Sequence, residues 1–222
     1  MDKIALITGA GRGLGRELAL TFAENGYDIF LQGRDKKNLE NVSAQINSIG
    51  KKTWILEGDV RDNKVIEEIF RNIKEKNIGL LINNAGAPSL GIPFEQETDE
   101  QLTEVITTNL LSQIKLINKV YRIFLERNNG GIININSILG LESKALRAVY
   151  CASRWGSRGF NESLKKEIGE KPIRIMDVYP TRIKTKPEYT KGMEVKYVAE
   201  KVYDSYVNSK VNELILDDRP KK

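Results

Sequence analysis

Short apolar runs, rich in β-branched residues, alternate along the chain with longer amphipathic stretches. The runs Lys3–Thr8, Asp28–Gln32, Thr53–Glu57, Leu80–Asn83, Gly131–Ser137, Ile173–Tyr179 and Glu213–Leu216 read as strands. Between them apolar residues recur at helical spacing. Leu14, Leu18, Phe22 and Ala23 share one face of a first helix, and Val65, Ile69 and Ile73 one face of a third. Thr98 with Gln101 has the spacing of a capping box and predicts a long helix to about Glu126, stopped by Gly130-Gly131. Strand–helix alternation with short links predicts right-handed βαβ units, hence a mostly parallel seven-stranded sheet with helices on both faces. No repeat, low-complexity segment or linker breaks the pattern, so residues 1–222 are expected to form a single α/β domain. Pro88–Glu97 and Pro180–Glu194 follow strands without a clear element of their own. Such a sheet binds ligands beyond the carboxyl ends of its strands, which makes both segments candidate substrate walls.

Composition narrows the chemistry. The 222 residues, 40% hydrophobic and 29% charged, suffice for a sizeable core without disulfide or metal. Histidine is absent and Cys151 is the single cysteine. A Ser-His-Asp triad, a His-paired thiolate, a cysteine zinc cage, an internal disulfide and a CxxC redox pair are all excluded. Cys151 reads as a small packing residue. Chemistry is left to Tyr, Ser, Asn, Lys, Arg and carboxylates, or to a bound cofactor. Thirty-five basic and thirty acidic residues give +5, spread without blocks, which reads as a solvated mixed surface and not a nucleic-acid-binding face. No apolar run approaches the twenty or so residues of a membrane span, and the start shows no signal-peptide cleavage region. No membrane association, a cytoplasmic location and a frayed charged tail over Asp217–Lys222 are the expectations.

The first strand runs into Thr8-Gly9-Ala10-Gly11-Arg12-Gly13-Leu14-Gly15 and then a helix. Glycines there permit a tight turn and bring backbone N–H groups to a pyrophosphate, which the positive helix end also attracts. At the end of the second strand, an acidic residue would bind the ribose 2′-hydroxyl of NAD, whereas an arginine accommodates a 2′-phosphate. Gly33 holds that position and Arg34 follows, with Arg12 as a second clamp, so NADP(H) is favoured over NAD(H). Asp35 is the competing carboxylate, and surface placement is the alternative for both arginines.

The TGxxxGxG spacing resembles the short-chain dehydrogenase/reductase family, and the resemblance continues in order along residues 4–185. It implies a Rossmann-type doubly wound fold. Asp59-Val60 matches the aspartate beside the adenine ring, and Asn83-Asn84-Ala85-Gly86 the motif lining the cofactor cleft. Asn109, in Thr108-Asn109-Leu110, matches the catalytic asparagine; Ser137 and Tyr150 match the catalytic serine and tyrosine. Pro180 to Thr185, with Ile183, resembles the segment covering the nicotinamide. The implied reaction moves a hydride between nicotinamide and a small carbonyl or secondary alcohol, with Tyr150 handling the proton and no metal required. A homodimer or homotetramer through the fourth-helix and Tyr150-helix faces is implied as well.

Free tyrosine titrates near pH 10, so it needs help as a base. A unit charge about 4 Å away is worth roughly 4 kcal/mol at an effective dielectric of about 20. The family uses a lysine four residues after the tyrosine; Arg154 stands there. Arginine keeps the charge in a planar fork of different reach. The resemblance therefore leaves two readings: an active oxidoreductase, or a catalytically impaired NADP(H)-binding protein acting as sensor or scaffold. Tyr197/Lys201 and Tyr206/Lys210 share the YxxxK spacing but follow no serine-ended strand, and read as structural. Ala87, Pro88, Leu90, Leu139, Gly140 and Leu141 are candidate pocket residues, with Tyr179 and the segment 186–194 as a short lid.

Overall fold

The computed structural model describes residues 3–185 and 188–220. Strands and helices alternate as β1 (Ile4–Thr8), α1 (Gly13–Glu24), β2 (Asp28–Gly33), α2 (Lys36–Ser48), β3 (Thr53–Glu57), α3 (Asn63–Lys74) and β4 (Leu80–Asn83). Then come α4 (Asp99–Ile106), α5 (Ser112–Arg127), β5 (Gly130–Ile135), α6 (Ala148–Ile168), β6 (Ile173–Pro180), α7 (Val195–Val207) and β7 (Glu213–Leu216). The strand order is β3-β2-β1-β4-β5-β6-β7, and every pairing is parallel. The order reverses between β1 and β4, which opens a crevice at their carboxyl ends. This is the doubly wound fold expected.

A parallel sheet is covered on both faces, and its strands are correspondingly apolar throughout. All five residues of β1 are buried. Alternation sends Ala5 and Ile7 to one core with Leu18 and Phe22 of α1, Leu39 and Val42 of α2, and Val198 and Val202 of α7. Ile4 and Leu6 enter the opposite core with Ile69 and Ile73 of α3, Leu116, Val120 and Phe124 of α5, and Leu164 and Ile168 of α6. The α3 stripe differs by one position from expectation. Ile66, Ile69 and Ile73 are buried, while half-buried Val65 packs where a side chain at Gly58 would stand.

The capping box at Thr98 and Gln101 is present. The helix it starts is not regular, however. Thr107–Leu111 widen into a π turn, closed by the Ser112 hydroxyl donating to the Thr107 carbonyl at 2.7 Å. Nor do Gly130-Gly131 end it: Asn128 does, in the left-handed conformation at φ 50°. The two glycines open β5, where Phe124 and Tyr206 leave no room for a Cβ.

One polar line crosses the second core. Asn83 donates to Asn134 at 2.9 Å, and Asn134 and Asn161 donate to Asp177 at 3.2 and 2.7 Å. Lys165 completes the set at 2.6 Å. Asp177 is fully buried, and that burial pushes its carboxyl above the usual carboxylate range despite Lys165. At the chain end, Asp217, Asp218 and Arg219 are tied down: Arg219 donates to Asp217 and to Glu142, and Thr181 meets Asp218. Lys221 and Lys222 lie outside the described residues. No described helix is long and apolar enough to cross a membrane.

Candidate active site

The loop between β1 and α1 is a cradle with its side chains removed. Gly9 and Gly13 take φ of 66° and 54°, where a Cβ is strained. At Gly15 a Cβ would stand 2.8 Å from the Gly9 carbonyl carbon and 2.5 Å from Asn84 Nδ2. Gly11 lies 3.2 Å in the same sense from Asn38, and Gly13 the same from Thr185. Leu14 sends its side chain into the core, so only its backbone faces the loop. No side chain caps α1, and its first turn holds no acidic residue. Its N–H groups and positive end are thereby left for an anion. Thr8 ties this loop to the next: its hydroxyl accepts from Asn84 N and Ala85 N at 2.9 and 3.0 Å, and Asn84 Nδ2 donates to Thr8 O at 2.9 Å. A dinucleotide's pyrophosphate fits these residues.

Beside the loop, Gly33 packs on Leu39. Asp35 is committed elsewhere: as the N-cap of α2, it accepts from Asn38 N at 3.0 Å and Asn38 Nδ2 at 2.8 Å. Arg12 and Arg34 are both exposed, and Arg34 stands 3.8 Å from Asp59. Asp59-Val60 lie just past β3, which ends at Glu57; Val60 is buried. Arg61 holds Asp59 through its backbone N–H, Nε and Nη2. Those hydrogen bonds keep the Asp59 carboxyl below the usual range.

At the ends of β4 and β5 the remaining groups assemble. Asn109, fully buried in the π turn, grips Ala87 twice: Oδ1 accepts from Ala87 N at 2.7 Å and Nδ2 donates to Ala87 O at 3.1 Å. Its Nδ2 also reaches Ser153 Oγ at 3.4 Å. Ser137 caps a short turn by accepting from Leu139 N at 3.2 Å, which leaves its own O–H proton available. Tyr150 and Arg154 lie one turn apart on α6. Arg154 is 5% exposed, with Nη1 donating to Ile135 O at 3.3 Å and Nε buried without a partner. Its guanidinium carbon stands 5.0 Å from the Tyr150 ring centroid, over the ring face. Gly86 roofs it: a Cβ there would come within 2.9 Å of Arg154 Nη2 and 3.1 Å of Asn109 Oδ1. Asn136 locks the group by accepting from Ser137 N at 2.8 Å and donating to Arg154 O at 3.1 Å.

A sequence profile described as short chain dehydrogenase matches residues 3–194. The chain belongs to the short-chain dehydrogenase family. This is a family of nicotinamide-dependent oxidoreductases. The chain is 32% identical over 188 residues to a 3-oxoacyl-[acyl-carrier-protein] reductase of Bos taurus, covering 83% of this chain and 77% of that protein. It is 32% identical over 185 residues to the FabG reductase of that name from Salmonella typhimurium, covering 82% and 74%. A short-chain dehydrogenase from Sphingobium yanoikuyae, solved in complex with NADPH, superposes with a TM-score of 0.87 at 26% identity, covering 96% of this chain and 87% of that one.

Some expected placements fail in this short-chain dehydrogenase. Tyr179 is fully buried in β6 against the α6 side and cannot serve a lid. Gly140 is buried, with its Cβ position facing Asn136 and not a pocket. Ala87 is buried too, while Pro88, Leu90, Leu139 and Leu141 retain exposure. Pro180 is buried at the end of β6, and Thr181 is bound to β7 through Leu216 O at 2.9 Å. Ile183 pairs with Met193, and exposed Thr185 rests on Gly13. Lys186 and Pro187 lie outside the described residues. Tyr197 and Tyr206 sit on α7, whose core lies on the opposite sheet face from that of α6, and burial pushes the Tyr206 hydroxyl up to about 12. Thr8, Asn136 and Ser153 were not singled out as site residues by sequence. For Thr8 and Asn136 a polar residue at a strand end was the available signal; Ser153, inside α6, had only its place three residues after Tyr150. No described cluster of His, Cys, Asp or Glu could hold a metal ion.

Proposed function

We propose that this short-chain dehydrogenase is an NADP(H)-dependent reductase of small carbonyl compounds, reversible toward secondary alcohols. The observation that carries the reading is the locked group Ser137, Tyr150 and Arg154, joined through Asn136 at the carboxyl end of β5. Bound NADP(H) supplies or removes a hydride. Gly9, Gly11, Gly13 and Gly15 with the α1 N-terminus would hold its pyrophosphate, with Asn84, Ala85 and Gly86 lining the cleft. Arg12 and Arg34 offer cations for a 2′-phosphate, while both oxygens of Asp35 already accept from Asn38 as the N-cap of α2. Asp59 and Val60 would stand at the adenine, and Pro180, Ile183 and Thr185 at the nicotinamide end.

Ser137 donates its free O–H to the carbonyl oxygen and stabilises charge as it develops there. As the carbonyl carbon gains a hydride, its π bond opens and the oxygen takes the Tyr150 proton. Solvent returns a proton to the phenolate, and the reverse sequence oxidises an alcohol. Arg154 supplies the fixed cation under the Tyr150 ring and, through its unpartnered Nε, a donor for the cofactor's ribose. Asn109 holds Ala87 in place beside it.

A second reading, cofactor binding without turnover, is favoured by one observation: the Arg154 cation lies over the ring face and is pinned to Ile135 O. The exposed Leu111 of the π turn, Leu125 of α5 and Trp155 of α6 support a homodimer or homotetramer through these helices. The test is titration with NADPH and NADH, followed by a carbonyl panel that includes a 3-oxoacyl thioester because of the relatives' names. Wild type and Arg154→Lys are run in parallel. Preferential NADPH binding with turnover in wild type supports the reductase; turnover only in Arg154→Lys supports the second reading.

A further inference from the structure

Arg147 stands at the mouth of this site with a charge that no carboxylate among the described residues answers. It is the N-cap of α6, with φ −141° and ψ 20°, three residues before Tyr150. Its guanidinium does not turn outward. It lies across Gly91, so that a Cβ there would come within 3.0 Å of both Arg147 Cζ and Nη2, with Nη1 closer still. Gly91, at φ 75°, belongs to the loop after β4 that carries Ala87, Pro88 and Leu90, one of the walls of the site. Arg147 therefore spans the gap from the Tyr150 helix to that wall.

Its hydrogen-bond account is short. Nη1 donates to the carbonyl of its neighbour Leu146 at 3.0 Å, and Leu146 takes φ 62° in the same turn. Among the described residues no carboxylate lies within ion-pairing distance of Arg147. Glu142, the nearest acidic residue in sequence, is committed to Arg219. The remaining donors of the planar fork match a carboxylate in a two-point contact. Arg154, buried on α6, adds a second cation to the site.

We infer that Arg147 selects for carbonyl substrates that carry a carboxylate, so that the preferred substrates are short oxo acids and the corresponding hydroxy acids. This rests on the reductase reading above and narrows its substrate class. A carboxylate a few bonds from the reacting carbonyl would be held by Arg147 while Ser137 and Tyr150 engage the carbonyl oxygen.

The test compares each acid with its uncharged methyl ester, acetoacetate against methyl acetoacetate and levulinate against methyl levulinate. Wild type and the Arg147→Gln and Arg147→Lys variants are assayed with NADPH. Calorimetric titration of each acid into the NADPH complex is run beside it. In wild type the acid-to-ester ratio of kcat/KM is expected to exceed roughly tenfold, in keeping with a charge-assisted contact. In Arg147→Gln that ratio falls to near one, chiefly through KM, and binding of the acid weakens about tenfold. Arg147→Lys, which keeps the charge without the fork, retains part of the ratio. A wild-type ratio near one overturns the inference. So does a ratio that survives in Arg147→Gln while both substrates decline together, the behaviour of a bracket between α6 and the loop. Binding of the acids that depends on Arg147 without any turnover would sustain the inference and reject the reductase reading. Equal turnover of acid and ester would do the opposite.

Discussion

An alanine at Gly15 tests the closest packing in the nucleotide cradle. The added Cβ would stand 2.8 Å from the Gly9 carbonyl carbon and 2.5 Å from Asn84 Nδ2. The Gly9 atoms are main chain, and Asn84 is fixed by its bond to Thr8 O at 2.9 Å. Neither neighbour can rotate aside, so α1 must retreat from β1 or the loop must open. Forcing a methyl group into a well-packed site costs about 1–3 kcal/mol. For a domain of this size that lowers Tm by roughly 2–12 °C, at about 2–4 °C per kcal/mol. The same retreat carries the α1 N–H groups away from the pyrophosphate, and NADPH affinity should fall at least about tenfold, or ~1.4 kcal/mol. Scanning calorimetry reads the first effect and quenching or enhancement of NADPH fluorescence the second. Gly79→Ala is the control, since nothing lies within 4 Å of its Cβ position and it is remote from the cradle; it should change stability by less than about 0.5 kcal/mol. A Gly15→Ala protein with wild-type Tm and wild-type NADPH affinity would refute the reasoning.

Other positions give sharper chemical readouts. Asn109→Ala strands the Ala87 N–H and carbonyl in a buried setting, at a cost of about 1–3 kcal/mol in denaturant unfolding, and kcat/KM should drop with it. Lys165→Met removes the cation from fully buried Asp177, which should cost about 3–5 kcal/mol at pH 7. Burial raises the folded Asp177 value above the unfolded one, so its contribution to stability is full below about pH 4 and lost as pH rises through the raised value. Lys165→Met should accordingly recover most of its deficit as pH falls toward 4; a deficit independent of pH would contradict this. Asp59 has the opposite sign, because Arg61 depresses it. Asp59→Asn should be less stable than wild type at neutral pH, with the gap closing as pH drops below about 4 through the depressed value.

The sheet was legible because each strand is a compact apolar run and each crossover helix carries one apolar stripe. All of β1 is buried, and Leu14, Leu18, Phe22 and Ala23 of α1 fill the core as their spacing requires. The motif residues of the cofactor cleft were legible for a similar reason, since glycines at fixed offsets record backbone constraints. What escaped depends on contacts between distant segments. The π turn around Asn109 is invisible in periodicity, because apolar residues continue at helical spacing through it, and the Ser112 bond that closes it has no sequence mark. Tyr179 reads as a lid residue at a strand end, yet the strand continues through Pro180 and the side chain is fully buried. Arg154 was visible as a substitution, but only geometry shows that its cation sits over the Tyr150 ring face. Arg147 stands in no motif, and the role proposed for it depends on Gly91, far away in sequence.

The central claim is that Tyr150 transfers the proton in a nicotinamide-dependent carbonyl reduction. Its most direct measurement follows nicotinamide absorbance across the carbonyl panel for wild type and Tyr150→Phe, after both are shown to bind NADPH equally. Wild type should oxidise NADPH with at least one carbonyl, and Tyr150→Phe should lose about 10²–10⁴-fold in kcat. Undiminished turnover in Tyr150→Phe would contradict the account.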